Sequence, residues 1–140
     1  QYLNKETEPI RFGGAKKIRT GKSIAILAFG TIVNTCLEVA EDINATVVDM
    51  RFVKPIDKKM IKEICLHHNF IVTVEENVVS GGAGSAVLDA LSELQLFCKT
   101  LVIGIPDKFF DHGSKKEVLI KILLSAKLLN NIRNVRICSF

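Results

Sequence analysis

The sequence has few of the residues that mark specialised classes of protein. Tryptophan is absent, Tyr2 is the only tyrosine, and the net charge of +4 is mild. Nucleic-acid binding usually combines basic residues with aromatic residues on one element, so we expect no nucleic-acid partner. No apolar stretch approaches the roughly 20 residues of a bilayer-spanning helix, so we expect no membrane partner. The first ten residues are polar and mixed in charge, which predicts no signal peptide.

The cysteines are too far apart to form a recognisable motif. Cys36, Cys65, Cys98 and Cys138 lie mostly within apolar runs. Zinc sites and redox motifs usually place two cysteines a few residues apart. We therefore expect buried free thiols in a reducing compartment.

The rest of the composition is typical of one globular domain. The chain has 140 residues, of which 48% are hydrophobic, enough for one core. It begins at Gln1 rather than at a methionine, so we expect a piece of a longer polypeptide. Residues 1–14 are predicted to be an interdomain linker, because they are polar at first and then contain Pro9 and two glycines. Residues 15–140 are predicted to form the domain.

Short apolar runs alternate with segments of helical periodicity along the domain. The predicted strands are Ser23–Phe29, Ala45–Asp49, Phe70–Glu75 and Thr100–Ile105. The predicted helices begin at Thr31, at Asp57, after Gly81–Ser85, at Ser114 and, for a short last helix, at Ser125. This alternation predicts an α/β fold whose parallel sheet is covered on both faces.

One further strand is predicted at the edge of this sheet. Ala15–Arg19 precedes the turn residues Thr20 and Gly21, and we expect it to form a hairpin with Ser23–Phe29. The complete prediction is a five-stranded, mostly parallel sheet with one antiparallel edge strand.

The segment from Val74 to Ser85 is the main candidate for a site. It follows a predicted strand and opens a helix, where ligands of α/β proteins usually bind. Gly81, Gly82 and Gly84 could admit an anion to the helix N-terminus, but they match no phosphate-binding motif. A tight turn packed against another domain is favoured, with at least one glycine at positive φ.

Two acidic residues at the end of the same strand raise the question of acid–base chemistry. Successive residues of a strand point to opposite faces, so Glu75 and Glu76 are not expected to form a catalytic pair. We expect one to accept hydrogen bonds from another element and the other to be solvated.

The remaining candidates are basic or imidazole side chains in loops. Arg51 is expected to pair with Asp49 or Glu75, although it could hold a carboxylate or phosphate. His67 and His68 end a helix and are expected at the surface. His112 lies on the same predicted edge as the glycine turn. A catalytic histidine would need a nucleophile nearby, and no convincing one is evident, so a structural or interface role is favoured. The candidate interdomain or ligand-facing edge therefore comprises Arg51, Glu76, Gly81, Gly82, Gly84, Ser85 and His112.

Several segments together resemble the third, C-terminal domain of the 1-deoxy-D-xylulose-5-phosphate synthase family. The matching segments are Ile26–Thr31, Ala45–Asp57, Val72–Asn77, Gly81–Ser85, Gly104–Asp107 and His112–Ser114. They occur in the family's order, and DMRFVKP, VTVEEN and GGAGS are the most specific. The resemblance implies the three-layer αβα sandwich of a transketolase C-terminal domain, over residues 15–140. The tail Asn130–Phe140 is unlike the family's final helix.

The resemblance also implies a function for the longer enzyme. That enzyme condenses pyruvate with glyceraldehyde 3-phosphate to give 1-deoxy-D-xylulose 5-phosphate and carbon dioxide, for isoprenoid precursors, thiamine and pyridoxal phosphate. Thiamine diphosphate and Mg²⁺ would be bound by preceding domains of the same chain, in a homodimer. No catalytic, cofactor or metal residue is expected in this chain. The compartment would be the bacterial cytoplasm or a plastid-type organelle.

Two other functions stay open at this point. One is a free-standing module that binds an anion or nucleotide at Gly81–Ser85. The other is the corresponding domain of a 2-oxoacid dehydrogenase beta subunit, whose turns are similar.

Overall fold

Parallel strands with helices on both faces make up residues 9–105, the part of the chain that the computed structural model describes. The elements are β1 (Lys16–Arg19), β2 (Ile24–Phe29), a 3₁₀ turn (Gly30–Ile32), α1 (Val33–Ile43), β3 (Thr46–Asp49), α2 (Lys58–His67), β4 (Phe70–Val78), α3 (Ala83–Glu93) and β5 (Lys99–Ile105). The strand order is β1-β3-β2-β4-β5. The predicted fold class is confirmed. The helices predicted from Ser114 and Ser125, and the tail Asn130–Phe140, lie outside the described residues.

Alternation along the strands divides the core between the two faces of the sheet. On one face, Ile26, Val47 and Val72 pack with Cys36 and Ala40 of α1. The opposite face packs against α2 and α3, through the side chains Ala25, Leu27, Val48, Ile71, Ile61, Ile64, Val87 and Leu91. β2 and the first part of β4 are buried on both faces, as expected for central parallel strands.

The edge strand β1 is antiparallel, but its predicted partner is wrong. It pairs with β3, with Lys16 opposite Asp49. The central strand β2 already has β3 and β4 as parallel neighbours, so the free edge of the sheet lies beyond β3. Gly21 passes close to the residues just before β3, where an added Cβ would lie 2.3 Å from the Asn44 carbonyl oxygen. Thr20 and Gly21 therefore connect strands that are not neighbours.

One imidazole that we expected at the surface is half-buried and belongs to a chain of hydrogen bonds. The His68 Nδ1 lies 3.0 Å from the Ile64 carbonyl oxygen, so it must donate there. Its Nε2 can then accept from the Thr46 hydroxyl at 2.7 Å, and that hydroxyl accepts from the Gly21 amide at 2.9 Å. His67 is exposed, as predicted, but for His68 the surface prediction is wrong.

The helix cap predicted at Asp57 is confirmed, and the same carboxylate fastens a distant part of the chain. Asp57 accepts from the Met60 amide at 3.0 Å, which caps α2. It also accepts from the Ala15 amide at 3.0 Å and pairs with Arg11 at 3.4 Å. Burial alone would raise the pKa of Asp57, but these partners outweigh burial and lower the pKa below its ordinary 3.8.

No helix within residues 9–105 is both long enough and apolar enough to cross a bilayer.

We predict that Asp57→Ala lowers the free energy of unfolding by about 1–2 kcal/mol at neutral pH, since it removes the cap and the Ala15 contact. Because the folded pKa is depressed, the contribution is complete above the unfolded pKa and is lost as the pH falls through the folded pKa. We expect the difference in the free energy of unfolding between wild type and variant to be smaller near pH ~3 than at neutral pH. Urea unfolding at the two pH values measures this difference.

Glu63→Gln provides the control for this prediction, because Glu63 pairs with Lys17 at a partly exposed site. Its effect should be smaller and should disappear in high salt. If the difference in the free energy of unfolding between wild type and Asp57→Ala is the same at acidic as at neutral pH, the assigned role of Asp57 is contradicted.

Candidate functional site

The parallel strands end at one edge of the sheet, and their following loops form an open cleft of ≈540 Å³. We call it the carboxyl-edge cleft. Its lining residues are Phe29, Gly30, Thr31, Val53, Glu75, Glu76, Asn77, Gly81, Gly82 and Ala83. Of the predicted edge, Glu76, Gly81 and Gly82 line the cleft, and Arg51, Gly84 and Ser85 do not. His112 lies outside the described residues.

Glu75 is buried and holds the start of α3. One carboxylate oxygen accepts from the Ala83 amide at 2.8 Å, and the other accepts from the Gly84 amide at 2.8 Å. These are the first two amides of the helix, which have no acceptor within it. An internal carboxylate thus occupies the position that an external anion would take at this N-terminus.

Glu76 makes the equivalent contact on the opposite face of the sheet. Its carboxylate accepts from the Thr31 amide at 3.0 Å and from the Thr31 hydroxyl at 2.7 and 2.8 Å. Thr31 lies in the 3₁₀ turn that leads into α1, and the N-cap of that helix, Ile32, makes no side-chain cap. The prediction that Thr31 caps the helix is wrong, since its hydroxyl is bound to β4.

The two glutamates therefore do not form a catalytic pair, as predicted. The prediction for their separate roles is half right, because both of them accept hydrogen bonds and neither is simply solvated. The alternating direction of strand side chains explains this result, since each carboxylate reaches the helix start on its own face.

The glycines serve the turn and the close packing of α3. Gly81 has a φ of 71°, which confirms the prediction of a positive φ in this turn. An added Cβ on Gly82 would lie 2.3 Å from the Glu75 carboxylate, and one on Gly84 would lie 2.4 Å from Val102. Ser85 donates its hydroxyl to the Val79 carbonyl oxygen at 3.1 Å, which closes the turn. Gly82, Gly84 and Ser85 are thus engaged within the domain, whereas the space beside Gly81 is open.

Arg51 has the structural role that the sequence favoured. Its Nε lies 3.4 Å from the Asp49 carboxylate, and its amide donates to the same carboxylate at 3.2 Å. Its own φ is 60°. The side chain is thereby held to its own loop rather than directed into the cleft.

Sequence reasoning missed the apolar contribution of the loop after β3. Val53 lines the cleft and is 40% exposed, and Phe12 is 76% exposed while its ring packs edge-on against Phe52 at 5.5 Å. We call Phe12, Phe52 and Val53 the apolar corner. The signal was present in the run FVKP, where two apolar residues follow a strand without a helical or strand periodicity.

Residues 13–128 match the family described as the C-terminal domain of transketolase. The chain belongs to the transketolase C-terminal domain family. A solved structure described as a split-gene transketolase, inactive beta4 tetramer, is similar to this domain with a TM-score of 0.74 and 32% identity, over 81% of this chain and 38% of that one.

Relatives of this transketolase C-terminal domain are named 1-deoxy-D-xylulose-5-phosphate synthase. The protein from Histophilus somni strain 2336 is 51% identical over 82% of this chain, and this match spans 19% of the relative's length. The protein from Pasteurella multocida is 48% identical over 89% of this chain and 20% of its own length. The chain therefore spans about a fifth of the relatives that it matches.

We predict that Glu75→Gln destabilises the domain by about 2–3 kcal/mol, because one helix amide loses its acceptor and a buried amide group faces it instead. In Glu76→Gln the Thr31 hydroxyl can rotate to accept from the new amide, so the loss should stay below about 1 kcal/mol. Urea unfolding of the two variants in parallel measures the difference. Equal losses would contradict a special role for the buried carboxylate.

Proposed function

We propose that this chain is the C-terminal domain of a 1-deoxy-D-xylulose-5-phosphate synthase. The whole enzyme would join pyruvate to glyceraldehyde 3-phosphate with loss of carbon dioxide, and so serve isoprenoid precursor synthesis. The observation that carries the proposal is the 51% identity, over 82% of this chain, to a protein of that name. The names of the relatives favour this function over a 2-oxoacid dehydrogenase beta subunit, and the occupied helix start removes the physical basis for a free-standing anion-binding module.

The side chains at the carboxyl-edge cleft do not fit thiamine diphosphate and Mg²⁺. The acidic side chains at the cleft, Glu75 and Glu76, already accept from helix-start amides. Among residues 9–105, a diphosphate in this cleft would meet these two carboxylates and no lining lysine or arginine. Within the described residues no group of histidine, cysteine and acidic side chains is placed to hold a metal ion. We therefore assign the cofactor to other domains of the longer enzyme.

The part of this chain in that enzyme is to present a surface to the neighbouring domains or to the partner subunit of a homodimer. The exposed apolar corner supports this role, because large exposed apolar groups in one place commonly mark a contact surface. The predicted linker, which would join this domain to the preceding one, also supports this role. Its residue Arg11 pairs with Asp57 and its residue Phe12 packs on Phe52, so the linker is held beside the cleft. The cleft's glutamates and glycines give this surface its rigid shape.

We predict that the 140-residue chain alone turns over neither pyruvate nor glyceraldehyde 3-phosphate when thiamine diphosphate and Mg²⁺ are supplied. A longer polypeptide that carries this domain behind the thiamine-binding domains should release carbon dioxide and form the phosphorylated ketose. Calorimetry of the chain with the cofactor and an assay of both proteins test this. Micromolar cofactor binding by the chain, or any turnover above blank, would contradict the assignment.

We predict that Val53→Asp in the longer enzyme lowers the dimer fraction and the activity together, because it places a charge in the apolar contact surface. Sedimentation and the carbon dioxide assay, run at the same protein concentrations, measure the two effects. Gly82→Leu is a poor probe of the surface, since the space around Gly82 is already filled by Glu75 and Val78.

Ile18→Asp is the matched control, because Ile18 lies on β1 and is 43% exposed, close to the 40% of Val53. We expect it to leave assembly and activity unchanged. Normal assembly of Val53→Asp with weakened substrate affinity would instead favour a ligand site in the cleft and overturn the interface role.

A further inference from the structure

Two cysteines lie at the end of the sheet opposite the carboxyl-edge cleft. Cys65 lies in the last turn of α2, and Cys98 lies immediately before β5. The Cys98 thiol is 3.9 Å from the carbonyl oxygen of His68, the residue that ends α2. Cys65 precedes His68 by three residues, less than one helical turn, so this contact brings Cys98 to the same end of α2 as Cys65. Both side chains are partly buried against the same core cluster.

The environment of the Cys98 sulfur agrees with this contact. Burial raises the pKa of Cys98 to about 11, and the charge of Cys65 and a hydrogen bond with its thiol add to the rise. Both cysteines are free thiols that pack against the same core cluster at this end of α2.

Cys36 is separated from this pair by the sheet itself. It lies on α1, belongs to the core cluster on the other face and is only 5% exposed. Burial raises its pKa to about 12, which makes the reactive thiolate rare at neutral pH. Because Cys36 is buried on the other face of the sheet, it does not compete to form a disulfide with Cys65 or Cys98.

The loop that carries Cys98 has room to adjust. Gln95 follows α3 with a φ of 53°. Leu96 and Cys98 pack against the core, but the Phe97 side chain between them is 99% exposed, so Phe97 can shift without losing core packing. A disulfide requires its sulfurs to approach to about 2.05 Å. A small movement of the loop toward α2 supplies that approach.

We propose that Cys65 and Cys98 form a reversible intramolecular disulfide by exchange with a small disulfide such as glutathione disulfide. One cysteine thiolate attacks the glutathione disulfide, forms a mixed disulfide and releases one glutathione thiolate. The second cysteine thiolate then attacks the protein sulfur of that mixed disulfide and releases the second glutathione. The two glutathione thiolates take up the two protons that the cysteines lost, so the protein is oxidised by two electrons and the glutathione disulfide is reduced.

The disulfide would link the end of α2 to the start of β5 and enclose β4 and α3 between them. Restricting this loop in the unfolded chain stabilises the folded one. The element that carries the glycine turn would thus be more stable in an oxidising environment than in a reducing one.

The test is to equilibrate the 140-residue chain with buffers of defined reduced-to-oxidised glutathione ratio, block free thiols and digest without reduction. Cleavage after glutamate places each cysteine in its own peptide, residues 9–38, 64–75, 94–117 and 118–140. We expect peptides 64–75 and 94–117 to be joined, lighter by two hydrogens than their sum, and to separate again as the ratio becomes reducing. The oxidised chain should melt roughly 5 °C higher.

Serine variants sharpen the test. Cys36→Ser should leave the joined peptides unchanged, while Cys98→Ser should leave Cys65 as a mixed disulfide with glutathione. Separate mixed disulfides on Cys65 and Cys98 in the wild type, or a link from either one to peptide 118–140, would overturn the proposal. The wild-type peptide map decides the matter even if a serine variant fails to fold.

Discussion

Two adjacent carboxylates at the end of β4 determine how the helices meet the sheet. Glu75 binds the first amides of α3 on one face, and Glu76 binds the turn that leads into α1 on the other. Neither helix has a side-chain cap of its own at this end. The strand thus supplies, from two successive residues, the negative groups that helix starts require.

This arrangement changes what the edge of the sheet can do. In many open α/β sheets the helix starts at this edge are free to bind an anionic ligand. Here the amides of Ala83 and Gly84 are committed to a carboxylate that belongs to the fold. What remains for a partner is shape and the apolar corner, and these suit contact with another protein surface better than recognition of a small anion.

Sequence patterns predicted the fold well because its signals are local. Four apolar runs, the Asp57 cap and the positive φ of Gly81 all follow from residues close together in the chain. The errors concern contacts between distant residues. The partner of β1 depends on which edge of the sheet is free, and the hydroxyl of Thr31 is bound by a glutamate 45 positions away.

The candidate site was only partly predictable for the same reason. The sequence left open that Gly82 and Gly84 admit an anion to the helix start, because it does not show that Glu75 and Val102 fill the space beside them. His68 was predicted at the surface, because the sequence does not show that the start of β3 lies against the end of α2, where His68 accepts from Thr46. Periodicity identifies which residues are buried, but it does not identify their polar partners.

The two ends of the sheet now have separate roles. The carboxyl ends of the strands carry the glutamates and the apolar corner, whereas the amino ends carry the Cys65–Cys98 pair and the His68–Thr46 hydrogen bond. β4 connects the two ends through a mostly buried run of backbone, and within the described part of the chain neither group of side chains shares a hydrogen-bond partner with the other. Perturbations at well-separated sites without shared partners are usually additive in free energy. Substitutions at the cleft and oxidation at the thiol pair should therefore act on stability independently, which makes the contact surface and the redox state separable variables in the same chain.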